Sequence, residues 1–248
     1  MKAMLFAAGL GTRLKPLTDH KPKALVEVGG VTLLEIAIRR LMAAGFKEVL
    51  VNVHHFASQV VDFLEKSSFP GIHIGISDER DLLLDTGGGL KFARWFFNDD
   101  KPFLACNVDV LTNMDLANFF RHHLASGALA TLAIRRRQTS RYLIFDENLQ
   151  LQGWQNAKTA ETRWCAPNHH SPIINHRLWA FSGIQCLSPA IFDWMPEREV
   201  FSMIDVYLAA AASAPVLGFP HEQDQWLDVG TPESLEAARH FSTLNSLI

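Results

Sequence analysis

At 248 residues the chain has the length of one large α/β domain and is too short to require two. Its 48% apolar and 20% charged residues are those of a globular protein, and they exclude a disordered tail, a collagen-like repeat and a small disulfide scaffold. A formal charge of -3, from 23 basic against 26 acidic side chains, leaves no net positive field to hold nucleic acid by counterion release.

Taken in chain order, Ala3–Ala8 reads as a buried strand, followed by a loop rich in glycine and proline. Its apolar stretch is too short for a signal-peptide core or a membrane span, so no membrane partner is expected and the compartment expected is the cytoplasm. Leu33–Ala44 repeats apolar residues at helical spacing (Leu34, Ile38, Leu41, Met42) and stops at Gly45. Val49–Val53 is a second strand, Ala57–Lys66 a helix, Ile72–Ser77 a third strand and Gly89–Phe97 a helix. Phe103–Cys106 is a fourth strand that runs into Asn107-Val108-Asp109.

Beyond residue 110 the pattern is less regular. Ala130–Arg135 and Tyr142–Phe145 read as strands, with Asp146, Glu147 and Asn148 turning the chain into Leu149–Trp154. Asn156–Arg177 has no periodicity, and Pro167, Pro172 and the His169-His170 pair predict a loop or lid. Leu178–Cys186 returns to strand character, Ala190–Met195 and Met203–Ala212 to helix, and Trp226–Val229 is a short strand before a last helix. The alternation predicts a three-layer α/β/α, Rossmann-like fold with a mostly parallel central sheet, and ligands bind such sheets beyond the carboxyl ends of the strands. With no linker or composition break, 1–248 is expected to be a single domain.

The most informative stretch runs Ala7-Ala8-Gly9-Leu10-Gly11-Thr12-Arg13 and on through Pro16-Leu17-Thr18 to Pro22-Lys23-Ala24-Leu25. Glycines at 9 and 11 allow the backbone close to an anion, Arg13 adds a fork of donors, and Lys23 adds a point charge. A phosphate-rich ligand fits that inventory. It is neither a P-loop, which needs GxxxxGK[ST], nor a dinucleotide fingerprint, since position 14 is Leu. Other chemistries lack an anchor: there is no CxxC among Cys106, Cys165 and Cys186, which are read as three reduced thiols, no HExxH and no GxSxG. The histidines fall as the adjacent pairs His54-His55, His122-His123 and His169-His170, whose members point apart and so favour structural or surface roles.

The loop resembles the LAAG-x-GTR-L-x-PLT and PK-x-L signature of the sugar-1-phosphate nucleotidyltransferases, a nucleotidyl transferase family of GT-A-like fold. Asn107-Val108-Asp109 is similar to its metal motif, and Trp226-Leu227-Asp228-Val229-Gly230-Thr231-Pro232 to its W-x-D-x-GTP motif. Leu84-Asp85-Thr86-Gly87-Gly88-Gly89 stands where the family carries an LGTAGG-like base-contacting segment. Its close variant LETGGG belongs to the branch that uridylylates N-acetylmuramic acid 1-phosphate, and mannose-1-phosphate guanylyltransferase-like members are also similar. The resemblance implies Mg²⁺-dependent joining of an NTP to a sugar 1-phosphate with release of pyrophosphate, 1–110 forming the nucleotide-binding half and 111–248 the acceptor half. By it, Arg13 and Lys23 are the catalytic cations, Ala7, Ala8, Gly9, Gly11, Thr12 and Gly88 contact the nucleotide, and Asp109 and Asp228 hold the metal. Thr231 is left a structural helix cap.

The acceptor side is implied more thinly. Gly183, in Ala180-Phe181-Ser182-Gly183, lines the family's sugar-side strand, and Asn156 with Lys158 stands where relatives carry a Glu-Lys pair. Tyr142 is followed by Leu143 where relatives have Gly, so neither the base nor the sugar is fixed by these motifs. Arg135, Arg136, Arg137 and Arg141 are read as solvated arginines at a strand end. The family often forms homodimers, although no stripe in this chain demonstrates one. With Asp228 so near residue 248, no β-helix acyltransferase extension is expected. Two other readings remain open: a cytidylyltransferase acting on a non-sugar alcohol phosphate, and a non-catalytic subunit that binds nucleotide sugar.

Overall fold

The computed structural model describes residues 1–165 and 176–240. In chain order its strands and helices are β1 (Lys2–Phe6), β2 (Glu27–Val28), β3 (Val31–Thr32), α1 (Leu33–Ala43), β4 (Glu48–Val53), α2 (Ala57–Lys66), β5 (His73–Asp78) and α3 (Asp85–Phe92). Next come β6 (Phe103–Asn107), β7 (Val110–Thr112), α4 (Leu116–Ser126), β8 (Ala130–Arg135), β9 (Arg141–Phe145), β10 (Leu151–Asn156) and β11 (Glu161–Trp164). Last are β12 (Arg177–Leu187), α5 (Met203–Ala210), β13 (Val216–Pro220), β14 (Trp226–Asp228) and α6 (Pro232–Arg239). No helix among the described residues is long and apolar enough to cross a membrane.

The chain falls into two compact units. The first comprises Met1–Leu84, Ala105–Ala117 and the chain from Asp224 on; the second comprises Asp85–Leu104 and Asn118–Gln223.

The first unit carries the expected α/β architecture. β1 pairs with β4 and β4 with β5, all parallel, in the register Met4↔Leu50↔Gly75. Parallel neighbours need crossover helices, and α1 and α2 supply them. Thr32 caps α1 by accepting the Glu35 N–H at 3.1 Å, and Gly45, at φ 85°, ends it in a left-handed turn. β1 and β4 are buried almost throughout, as expected of strands covered on both faces.

The second unit is mainly antiparallel. β9, β10 and β11 form a meander, β12 pairs with both β8 and β9, and β13 joins β8 in parallel.

Several elements differ from the sequence reading. The helix expected over Gly89–Phe97 begins at Asp85, so the glycine run lies within its first turns, and Ala93–Phe96 tightens into a 3-10 turn. Ala190–Met195 is likewise a 3-10 helix over Pro189–Trp194. The aperiodic span 156–177 contains β11, while the expected lid with Pro167, Pro172, His169 and His170 lies outside the described residues. β2, β3, β7 and β13 are short strands without a period to announce them.

Candidate active site

The glycine-rich loop leaves β1 at its carboxyl end, where a parallel sheet presents its ligands. Ala7 and Ala8 are buried, and their N–H groups donate to Asn52 Oδ1 at 2.7 and 3.3 Å. Both N–H groups are therefore engaged inside the protein and are not turned toward a ligand. A Cβ on Gly9 would meet nothing within 4 Å, so its backbone faces open space.

Gly11 is a glycine for a different reason. It sits at φ 64°, and a Cβ there would stand 2.9 Å from Thr18 Cγ2 and 3.1 Å from Lys23 Cβ. The buried Thr18 hydroxyl donates to Gly11 O at 2.8 Å, closing the loop on itself. Thr12–Leu14 then form a 3-10 turn in which Leu14 is buried while Thr12 and Arg13 are exposed.

Lys23 opens a second 3-10 turn directly after Pro22, whose extended backbone starts it. That placement sends a nearly buried ammonium to two carboxylates at once: it donates to Asp109 Oδ2 in a short ion pair and lies 3.9 Å from Asp228 Oδ1. The two aspartates are distant in sequence and are joined by a small antiparallel ribbon. In it β7 pairs with β14 so that Val110 faces Asp228, and Val229 N–H donates to Asp109 O at 2.9 Å. Beneath the ribbon, Leu111 and Val229 pack with Leu14, Val26, Leu33, Ile36 and Leu235 in one apolar cluster. Arg40, buried on α1, donates to Val110 O at 3.0 Å and ties the same ribbon to that helix.

The donor chemistry suits Mg²⁺, a hard cation that takes one or two carboxylates and fills the rest of its shell with phosphate and water. Among the described residues no cluster of three or more His, Cys, Asp or Glu side chains offers a protein-only metal cage. Two carboxylates converging on one cationic group are what this unit provides.

Gly230, between Asp228 and the helix cap, reveals the position of Arg13. A Cβ there would lie 2.6 Å from Arg13 Nη2 and 2.8 Å from Asp228 Oδ1. Nothing in the Gly230 backbone forbids alanine, and both atoms are the ends of flexible side chains. Gly230→Ala is therefore expected to fold with stability within about 1 kcal/mol of wild type while displacing Arg13 and Asp228. Its turnover should fall about tenfold or more, as a misplaced electrostatic group does; steady-state kinetics beside a urea melt separates the two effects. Thr231 caps α6 in a reciprocal capping box with Ser234, with Pro232 in the first turn, which is the structural role expected of it.

The remaining site residues belong to the second unit. Gly88 is buried and its N–H, with that of Gly87, donates to Phe201 O at 3.2 and 2.9 Å. A Cβ on Gly87 would fall 2.4 Å from the Phe201 ring, so this glycine serves close packing within the unit. Asn156 ends β10, and its Oδ1 accepts the Lys158 N–H at 3.0 Å, which folds the turn into β11. Gly183, at φ 75°, sits where the β12–β8 register shifts between Phe181 and Gln185, a bulge that re-aims the strand. Of the arginine run, Arg136 and Arg141 are exposed as expected, Arg136 lying over the Trp179 ring at 5.1 Å, while Arg135 and Arg137 are half-buried and Arg137 donates to Phe181 O at 3.2 Å. His123 is bonded to Thr131, and burial, with the neighbouring His122 charge, pushes its pKa down to about 4, while His122 packs edge-on to Phe219.

Asn52 and Glu79 were missed in the sequence reading. Glu79, just past β5, is buried and accepts from Asn52 Nδ2 at 2.8 Å, while its Oε2 has no hydrogen-bond partner among the described residues. The signal for Asn52 was present, since an amide inside the apolar run Val49–Val53 must find buried partners.

A family model described as nucleotidyl transferase matches residues 2–148. The N-acetylmuramate alpha-1-phosphate uridylyltransferase of Caulobacter vibrioides is 31% identical over 244 residues, covering 95% of this chain and 94% of its own. The enzyme of the same description from Neisseria meningitidis serogroup B is 31% identical over 240 residues, covering 96% and 97%. A solved UDP-glucose pyrophosphorylase from Acinetobacter baumanii superposes with a TM-score of 0.79 at 16% identity, over 98% of this chain and 93% of that one, a likeness of fold.

Proposed function

Since the chain belongs to the nucleotidyl transferase family, we propose that it transfers a nucleoside monophosphate from an NTP to a sugar 1-phosphate, with UTP and N-acetylmuramate 1-phosphate as the pair. The observation that carries the reading is the convergence of Lys23 on Asp109 and Asp228 beside the glycine-rich loop. The choice of UTP and of the acid sugar is supported by two relatives of that description whose length this chain spans almost in full.

A sugar phosphate oxygen attacks the α-phosphorus of the NTP. A phosphorus–oxygen bond forms on that side as the bond to the β-phosphate oxygen breaks, and the electron pair leaves with pyrophosphate. No protein nucleophile takes part, so the side chains position groups and neutralise charge. Asp109 and Asp228 would hold Mg²⁺, which when bound supplies positive charge to the phosphate oxygens. Lys23, fixed by the same carboxylates, places its ammonium at the reacting phosphate. Arg13, exposed on the turn after Gly11, takes the leaving pyrophosphate in its donor fork. The open backbone at Gly9 lets the nucleotide approach closely.

The test is a matrix of UTP, GTP, CTP, dTTP and ATP against sugar 1-phosphates and alcohol phosphates, scored by pyrophosphate release with and without Mg²⁺. Expected is Mg²⁺-dependent release, fastest with UTP and N-acetylmuramate 1-phosphate. Release with alcohol phosphates alone would make the chain a cytidylyltransferase of another class. Nucleotide-sugar binding without any turnover would make it a regulatory subunit.

A further inference from the structure

Glu79 is the least accountable buried group in the first unit. It is 4% exposed, one carboxyl oxygen meets Asn52 Nδ2, and the other has no hydrogen-bond partner among the described residues. A glutamine there would make the same bond to Asn52 without placing an acid in the interior, and burying a charge without a counter-charge is costly. Asn52, 2% exposed, is oriented by what surrounds it. Its oxygen accepts the Ala7 and Ala8 N–H groups and its NH₂ donates to Glu79, whereas the reversed amide would oppose donors to donors and acceptor to acceptor.

We propose that Glu79 is a positioning residue for the nucleotide loop, fixing Asn52 in the one amide orientation that ties down the Ala7 and Ala8 backbone. The inference rests on the reading of that loop as the nucleotide site. The chain of contacts runs from the end of β5, through the last turn of β4, to the point where the loop leaves β1. It therefore links the carboxyl ends of three neighbouring parallel strands.

The same geometry makes the hold sensitive to protonation. Burial pushes the Glu79 carboxyl up to about 7, with the Asn52 bond and the charge of His54 opposing. His54 is the titratable group on the β4 side, its Nδ1 lying 2.6 Å from Glu79 O. On Glu79's own segment Asp78 and Arg80 are paired with each other at 2.6 Å, and Phe6–Ala8 contribute no titratable group. A raised carboxyl pKa means that the folded chain holds its proton more tightly than the unfolded chain. The stability this contributes is full below about pH 4.5 and is lost as pH rises through about 7. Above that pH the ionised carboxyl still accepts from Asn52 but stays buried at a cost, so an opening of this segment that carries Glu79 to water, and with it frees the Ala7 and Ala8 N–H groups, becomes easier.

Amide hydrogen exchange at Ala7 and Ala8, corrected for the intrinsic pH dependence, reads the hold without any substrate. Wild type should lose protection between pH 6 and 8.5 with a midpoint near 7, and Glu79→Gln should keep it across that range. Glu79→Ala should exchange at least about tenfold faster at both amides at pH 6, the scale of one lost buried hydrogen bond. In turnover assays Glu79→Ala should raise the KM for UTP about tenfold and leave the KM for the sugar phosphate unchanged, with Glu79→Gln restoring the UTP value. Unchanged exchange at Ala7 and Ala8 in Glu79→Ala would overturn the proposal, as would equal KM changes for both substrates. Should wild type turn over no pair at all, the functional reading fails while the exchange profile still decides the hold.

Discussion

Replacing Lys23 by alanine is expected to lower turnover by at least about a hundredfold while leaving the protein folded, the scale set by losing one preorganised electrostatic group. Folding should survive because the side chain occupies no part of the apolar cluster and its two partners keep some contact with solvent. What changes is local charge. Asp109 and Asp228 would face each other without the ammonium between them, and like charges at close range resist joint ionisation. Two consequences separate Lys23 from the carboxylates. Lys23→Ala leaves both proposed metal ligands, Asp109 and Asp228, in place, so it should keep a Mg²⁺ requirement while its maximal rate collapses. Asp109→Ala should lose as much rate and also need far more Mg²⁺ to reach it. Pyrophosphate release measured across a Mg²⁺ titration reads both, and near-normal rates from the two folded variants would remove the roles assigned to them.

How much of this was legible in the sequence depended on whether a function needs a motif or a meeting. The loop from Ala7 to Lys23 was readable because glycine, arginine and lysine types at those spacings suit few tasks. The backbone at Gly9 is open, whereas Gly11 is required by its left-handed turn and by the nearness of Thr18 and Lys23. Asp109 and Asp228 were readable as carboxylates near strand ends, but the ribbon that joins them was half hidden. β7 is only three residues long, too short to show a period. Asn52 and Glu79 belong to different strands and carry no spacing signal, so their bond exists only once β4 and β5 pair in register at Asn52↔Ser77. Gly87 shows the opposite failure. Within a glycine run that looks like a ligand cradle, Gly87 itself is required by the Phe201 ring, a contact across more than a hundred residues of chain. The interleaving of the two units has the same origin, since strands from Ala105 and Asp224 onward return to the first unit by pairing that sequence order does not display.

Leu111→Ala is expected to cost about 2–5 kcal/mol of stability, the range for a leucine deleted from a packed core. Leu111 is fully buried in β7, pairs across the ribbon with Leu227, and packs into the cluster formed by Leu14, Leu33, Ile36 and Val229. The cavity lies directly under the segment that carries Asp109 and Asp228. Relaxation into it must move β7 or β14, and either shift separates carboxylates that depend on the Val110↔Asp228 register. Stability and catalysis are thus expected to fall together at this position. Leu132, equally buried in β8 of the second unit, supplies the contrast. Leu132→Ala should cost a similar 2–5 kcal/mol or so by the same cavity argument without changing the Mg²⁺ concentration needed for half-maximal rate. Urea midpoints at unchanged slope measure the first effect, and Mg²⁺ titrations of the folded proteins well below those midpoints measure the second. If both variants kept the wild-type Mg²⁺ response, the apolar cluster would be supporting the fold alone. A higher Mg²⁺ requirement confined to Leu111→Ala would establish that the core beneath the ribbon sets the spacing of the two aspartates.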